Sequence, residues 1–262
     1  DWLDLVELDI SELVQSSFME NAPILKVSAE TGDGVEELKA TLLDICTSVP
    51  EKQDRGIFRL HVDRVFSMRG YGTVVTGTVN SGSLKAGDTV EILPGKIKTK
   101  VRGLQSHGHD VQMVKTGDRA AINLQGVEKK QIARGSQIAE PGYIQSINQV
   151  GVKFQLLSSS RNPIVQNQRI RIHLGTQEVM ARLFIFEKKL NSKEIIALIK
   201  FEKSIIACFK DRFIIRSYSP VYTLGGGFIL DIDIDGKWKD NKNYAHELFQ
   251  NYKNDQKIIE LI

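Results

Sequence analysis

Residues Phe58 to Gly82 read FRLHVDRVFSMRGYGTVVTGTVNSG. Two strands are expected here. The first sets Leu60 and Val62 on one face and Arg59, His61 and Asp63 on the other, and the second is the β-branched run from Thr73 to Val79. Between them, Arg69-Gly70-Tyr71-Gly72 supplies a turn that can take positive φ twice. An acid and a base, Asp63 and Arg64, stand side by side ahead of that turn. Downstream, Lys85-Ala86-Gly87-Asp88 opens the strand Thr89 to Leu93, and Lys115-Thr116-Gly117-Asp118 opens Arg119 to Leu124. Ala133-Arg134-Gly135-Ser136 does something similar before Gln137-Ile138. Short strands at this spacing, with no helical pattern between them, predict a small closed antiparallel barrel over residues 57–142.

A second set of strands is expected over residues 143–232. Val150, Val152, Phe154 and Leu156 alternate, and so do Ile170, Ile172 and Leu174, with Arg169, Arg171 and His173 on the opposite face. Near its end stand three consecutive glycines, Gly225 to Gly227, which require a sharp turn or a close backbone approach. From 233 to 262 the chain turns polar and helical, with Tyr244, Leu248 and Tyr252 in helical register. Upstream, residues 51–56 read as a linker. Residues 1–50 read as the end of an α/β domain. Pro23 to Val27 has the look of a buried strand, and Gly34 to Ile45 that of an amphipathic helix capped by Asp33 with Glu36 three places on. One such unit cannot bury both faces of a parallel strand, so the rest of its sheet is expected upstream of Asp1.

The composition, 41% hydrophobic and 26% charged over 262 residues, is that of a folded protein with room for more than one core. No apolar run reaches the ~18 residues of a membrane span, and the first residues have no signal-peptide pattern. With Cys46 and Cys208 far apart, neither a disulfide framework nor a zinc site is expected. A reducing, cytoplasmic setting fits. The net charge of +3 hides a split. Residues 1–50 hold eleven acidic residues against two lysines, a balance of −9, and the remainder holds 33 basic against 21 acidic, a balance of +12. A basic module of this size is compatible with a polyanionic partner.

Few chemical motifs occur. There is no GxxxxGK(S/T) phosphate loop, no GxSxG elbow, no HExxH and no Cys/His ligand spacing. Asp63, Arg64 and Arg119 each sit beside a glycine turn. Spacing allows a convergent pocket but favours a plain surface ion pair of about 0–1 kcal/mol. Arg169, Arg171 and His173 are either a solvated strand face or a phosphate track. Ser28-Ala29, taken alone, is a loop before a helix.

At this point a resemblance enters. VSAETGDGVEEL (Val27 to Leu38) resembles the last guanine-recognition loop of translational GTPases, and Asp63 to Pro94 is similar to their second domain. VRGLQSHG (Val101 to Gly108), TGDRAAINLQGVEKKQIARG (Thr116 to Gly135) and RSYSPVYTLGGGFILD (Arg216 to Asp231) narrow the likeness to the selenocysteine-specific elongation factors of bacterial type. The resemblance implies a mainly β protein, with two consecutive antiparallel barrels (domains II and III) between an α/β remnant of a G domain and the start of a winged-helix region. It implies binding of selenocysteinyl-tRNA and its GTP-dependent delivery to the ribosome at recoded UGA codons, with an mRNA hairpin gripped by the C-terminal region beyond this chain. GTP and Mg are implied for the parent protein and no cofactor for these residues alone, which lack the phosphate loop and switches and are expected to be inactive as a GTPase. A cytoplasmic monomer without membrane contact is expected.

Residue by residue, the family's aminoacyl pocket falls on Asp63, Arg64 and Arg119, and its guanine loop on Ser28 and Ala29. Arg69, Arg169, Arg171 and His173 become candidate tRNA contacts. A selenol is more acidic than a thiol or hydroxyl, so selenocysteine arrives as an anion, and two guanidiniums oriented by a carboxylate favour it over serine. Two other readings stay open: the GTPase subunit of a sulfate-activating enzyme, with similar barrels and no tRNA, and a double-barrel interaction module without ligand.

Overall fold

Turn chemistry sets the strand boundaries of the first barrel. The backbone N–H groups of Lys85 and Lys115 each donate to the carboxylate of the aspartate three places on, Asp88 and Asp118, both at 2.8 Å. The intervening Gly87 and Gly117 take φ of 95° and 94°, a region that penalises any side chain. Ala133 repeats the device with a hydroxyl, its N–H donating to Ser136 Oγ at 3.2 Å across Gly135, φ 94°. The structure, a computed structural model, describes residues 2–15, 17–49, 54–68, 70, 72–157, 164–188 and 194–232. The expected helical segment over 233–262 lies outside them, as does Arg69.

These turns delimit β1 (Arg59–Met68), β2 (Gly72–Ser81), β3 (Ser83–Lys85), β4 (Thr89–Leu93), β5 (Ile97–Ser106), β6 (His109–Val111), β7 (Met113–Lys115), β8 (Arg119–Leu124) and β9 (Gln137–Ala139). Six of them close a barrel in the order β4, β9, β1, β2, β8, β5, with β5 returning to β4. Its interior is filled by Leu60, Val62, Val75, Val79, Ile92, Ile122 and their neighbours. The β1–β2 hairpin turns as expected, with Gly70 and Gly72 at φ 83° and 86°.

The second barrel is made of β10 (Ser146–Leu156), β11 (Gln168–Leu174), β12 (Gln177–Lys188), β13 (Glu194–Ile206), β14 (Arg212–Ser217) and β15 (Thr223–Asp231). It closes in the order β10, β13, β12, β11, β14, β15, and every pairing is antiparallel. Its core holds Val152, Phe154, Ile170, Ile172, Leu183, Ile199 and Ile215. The glycine triplet lies in β15 where that strand seals the barrel. A Cβ on Gly225 would stand 2.1 Å from the Gln155 carbonyl oxygen, and one on Gly227 2.0 Å from that of Lys153. Because the obstacle is backbone, Gly227→Ala is expected to cost about 1–3 kcal/mol or more through overpacking, read as a lower urea midpoint.

Both faces of β1 are covered near its start. Arg59 and His61, on the face opposite Leu60 and Val62, are both buried, because that side of the strand meets the second barrel. Arg59 donates from Nη1 and Nη2 to both carboxylate oxygens of Asp211 at 2.7 Å, and from Nε to Gln137 Oε1 at 2.7 Å. Gln137 in turn donates to the Ile206 carbonyl at 2.8 Å. Around this polar group, Leu93, Ala139, Ile144 and Ile206 form a small apolar cluster. The seam is therefore a fully bonded charged centre in an apolar surround, the condition under which a buried charge is tolerated.

Residues Asp1–Lys52 form a separate compact unit. It contains α1 (Trp2–Val14), which the sequence pattern did not announce, and α2 (Val35–Ser48). Pro23 to Val27 is not a strand. Asp33 is not the helix cap either, since Gly34 occupies that position with φ 71°. The physical reason is local. Ser28 and Asp33 close the loop with an N–H to carbonyl bond of 3.0 Å, which folds residue 34 onto the Lys26 carbonyl, where a Cβ would come within 2.1 Å. The Asp33 carboxylate accepts from the Thr31 hydroxyl at 2.7 Å instead.

Candidate functional site

Counting back from the β1–β2 turn places Thr76 opposite Arg64, and the pairing is observed. The ladder then slips by one residue between Val62 and Arg64. Asp63 is the extra residue, and such a bulge re-aims a side chain and increases the local twist. Its carboxylate is half-buried. Oδ1 accepts from the Thr76 hydroxyl at 2.6 Å, and Oδ2 pairs with the guanidinium of Arg119. Arg119 begins β8 opposite Thr78 on β2, directly after the Gly117-Asp118 turn that fixes its backbone. Arg64, next to Asp63 on β1, is exposed, and its charge acts on the same carboxylate. The structure thus brings Asp63 and Arg119 into contact with Arg64 beside them. Thr76 is a member that sequence reasoning missed, although symmetric counting from the turn could have found it.

Burial is the largest influence on the Asp63 carboxyl and pushes its pKa up. The Thr76 hydroxyl, the Arg119 guanidinium and the more distant Arg64 outweigh it and hold the group below the ordinary aspartate range. A depressed folded-state pKa adds stability that is complete above the unfolded value of about 4 and is lost as pH falls through the folded value. Asp63→Asn is therefore expected to lower the melting temperature at neutral pH and to flatten its fall on acidification, measured by calorimetry against the wild type.

The other candidates are dispersed. Arg169 and Arg171 share the outer face of β11. Arg169 makes a two-pronged pair with Glu202 at 2.7 and 2.8 Å, and Arg171 pairs with Glu178 at 2.7 Å. Both guanidiniums lie over the Tyr218 ring, 4.4 and 5.6 Å from its centre. His173 Nε2 is 3.7 Å from Glu178. A phosphate reaching this face would compete with two carboxylates. In the separate N-terminal unit, Ser28 Oγ accepts from the Thr31 N–H at 3.2 Å and the Ser28 amide is committed to Asp33, which leaves the Ala29 N–H outside these bonds. The chain supplies no phosphate loop for a nucleotide. Among the described residues no group of three His, Cys, Asp or Glu could hold a metal ion, and no helix is long and apolar enough to cross a membrane.

Two linked antiparallel barrels, with a charged cluster on the outer face of the first, define a class: the second and third domains of translation elongation factors. Residues 72–139 match the family described as elongation factor Tu domain 2, and residues 152–235 match the selenocysteine-specific elongation factor beta-barrel domain. Within that class the chain is homologous to the selenocysteine-specific elongation factors. It is 40% identical over 233 residues to the factor of that name from Desulfomicrobium baculatum, covering 88% of this chain and 37% of that protein. The crystal structure of a bacterial selenocysteine-specific elongation factor aligns with a TM-score of 0.80 at 26% identity, covering 96% of this chain and 40% of that one. Translation elongation factor SelB from Methanococcus maripaludis, in complex with a GTP analogue, aligns with a TM-score of 0.79 at 27% identity, over 90% of this chain and 56% of that one. The chain thus spans well under two thirds of these relatives.

Proposed function

We propose that this chain is the tRNA-holding part of a selenocysteine-specific elongation factor, and that Asp63, Arg64 and Arg119 receive the selenolate of selenocysteinyl-tRNA. The observation that carries this reading is the Asp63–Arg119 pair at the bulge of β1, with Arg64 beside it. A carboxylate that fixes one guanidinium while a second stays exposed leaves a net positive site, suited to an anion and indifferent to a neutral hydroxyl. In this reading residues 1–50 end a GTPase domain, 51–56 link it to barrels over 57–142 and 143–232, and 233–262 begin a winged-helix region. The whole protein uses GTP and Mg, works as a monomer in the cytoplasm, and delivers its tRNA to the ribosome at a UGA codon marked by an mRNA hairpin. Ser28 and Ala29 contribute to the guanine site from a chain that by itself does not hydrolyse GTP. Arg69, Arg169, Arg171 and His173 contact the tRNA, the last three once Glu202 and Glu178 are displaced or bridged. The homologies favour this reading over the sulfate-activating one.

The test is equilibrium binding by the full-length protein carrying this chain, loaded with a GTP analogue. Tighter binding of selenocysteinyl-tRNA than of seryl-tRNA is expected. Equal binding of the two, or copurification with a sulfurylase subunit and no tRNA, would refute the proposal.

A further inference from the structure

The bulge that presents Asp63 is held from two sides. On its own barrel, the Val62 N–H donates to the Ser136 carbonyl at 2.9 Å, and the Val62 carbonyl accepts from the Gly135 N–H at 3.2 Å. From the second barrel, the Thr176 hydroxyl donates to that same Val62 carbonyl at 2.7 Å. Val62 is the residue immediately before Asp63, at the point where the β1–β2 register slips. One of the two bonds on the carbonyl ahead of the bulge, and the shorter, therefore comes from the neighbouring barrel.

Thr176 is itself fixed. Leu174 and Gln177 pair across the β11–β12 hairpin, so Gly175 and Thr176 are its two loop residues. Gly175 has φ 56°, the left-handed value that a Gly-first two-residue turn uses. It lies so close to the His61 ring that a Cβ there would stand 2.5 Å from Nδ1. Gln177 on the other side is packed against Gly135, where a built Cβ would meet the Gln177 Cβ at 3.1 Å. Three consecutive residues of the hairpin thus seat on residues 61, 62 and 135 of the first barrel.

We infer that Thr176 is a positioning residue: the hairpin tip of the second barrel sets the peptide before Asp63 and, through it, the aim of the Asp63 carboxylate at Thr76 and Arg119. The functional consequence rests on the proposed selenolate site. Hydrogen bonds of this kind weaken steeply once donor and acceptor separate beyond about 3.2 Å or lose alignment. The Asp63–Thr76 bond of 2.6 Å therefore tolerates little rotation of the bulge. Removing the hydroxyl while keeping the volume takes away the shorter of the two bonds on the Val62 carbonyl and leaves that from Gly135, without emptying the seam. Its effect falls on the charged cluster more than on folding.

The experiment uses the full-length protein with Thr176→Val and, as the hydroxyl-retaining control, Thr176→Ser. Two quantities are read: the affinity ratio for selenocysteinyl- over seryl-tRNA, and the titration of the Asp63 carboxyl by carbon NMR on aspartate-labelled protein. T176V is expected to reduce the ratio about three- to tenfold, the range set by one neutral hydrogen bond, and to move the Asp63 titration to higher pH. T176S is expected to restore both. An unchanged ratio and titration in T176V, or T176S behaving like T176V, would overturn the inference. Asp63→Asn in the same assay separates the two claims. If D63N keeps the full preference, the selenolate site is wrong, and the Asp63 titration in T176V still decides whether the hairpin sets the bulge.

Discussion

Asp211→Ala is expected to lower folding stability by about 3–5 kcal/mol, because it leaves a buried guanidinium without its counter-charge. Arg59 is only 4% exposed, and its side chain makes three bonds, two of them across the seam to Asp211 and one within its own barrel to Gln137. Asp211 also accepts from the Cys208 N–H at 2.8 Å, so the substitution strips a loop as well as a charge. Burial of Arg59 weighs against its charged form, and Asp211 is what offsets that cost. Asp211→Asn, which keeps one acceptor, should recover part of the loss. The seam joins two barrels with separate cores, so the measurement is best made by chemical denaturation with one probe in each barrel. In the wild type the two probes should report one transition. In D211A they should separate, because the barrels then lose their main polar tie.

Arg119→Ala should reduce the preference for selenocysteinyl- over seryl-tRNA by roughly tenfold in the full-length protein. A charge-assisted hydrogen bond contributes about 1.5–3 kcal/mol, but the Arg119 side chain keeps 49% of its exposure. Solvent screening therefore favours the lower end of that range. Affinity for seryl-tRNA should change little, since a neutral hydroxyl gains less from the guanidinium than a selenolate does. Arg119→Lys should recover the charge without the fork that engages Asp63 and the anion together, and so fall between. A uniform loss toward both tRNAs would instead mark Arg119 as a general tRNA contact.

Much of this architecture is legible in the sequence, for reasons that differ by element. The Lys-x-Gly-Asp turns are local devices, and local hydrogen bonds are what a sequence reveals best: both aspartates cap the backbone three places back. The glycine triplet announces a close approach, and β15 meets β10 there. Alternation along β11 and β10 gives the second core. The same alternation is silent on what covers Arg59 and His61, because a strand with one face in its own core can have the other covered by a second domain, and period alone does not distinguish that from solvent. Asp33 misleads for a different reason. Its capping pattern is sound in isolation but is overruled by loop closure onto Lys26. Asp63 and Arg64 are readable as neighbours, yet the bulge that turns Asp63 toward Arg119 leaves no mark in composition or period. Thr176, more than a hundred residues away, is beyond any pattern that works along one segment.

The central claim is that the cluster on the first barrel recognises a negative charge on the aminoacyl group. Its most direct test is the affinity ratio of the wild-type full-length protein for selenocysteinyl- over seryl-tRNA, followed from neutral to acidic pH. The Asp63 carboxyl is held below the ordinary aspartate range, so on acidification the selenolate takes up its proton before the Asp63–Arg119 pair is disturbed. A preference that is full at neutral pH and collapses toward unity as the selenolate is protonated is the predicted result. A preference that persists unchanged once the selenol is neutral would contradict it.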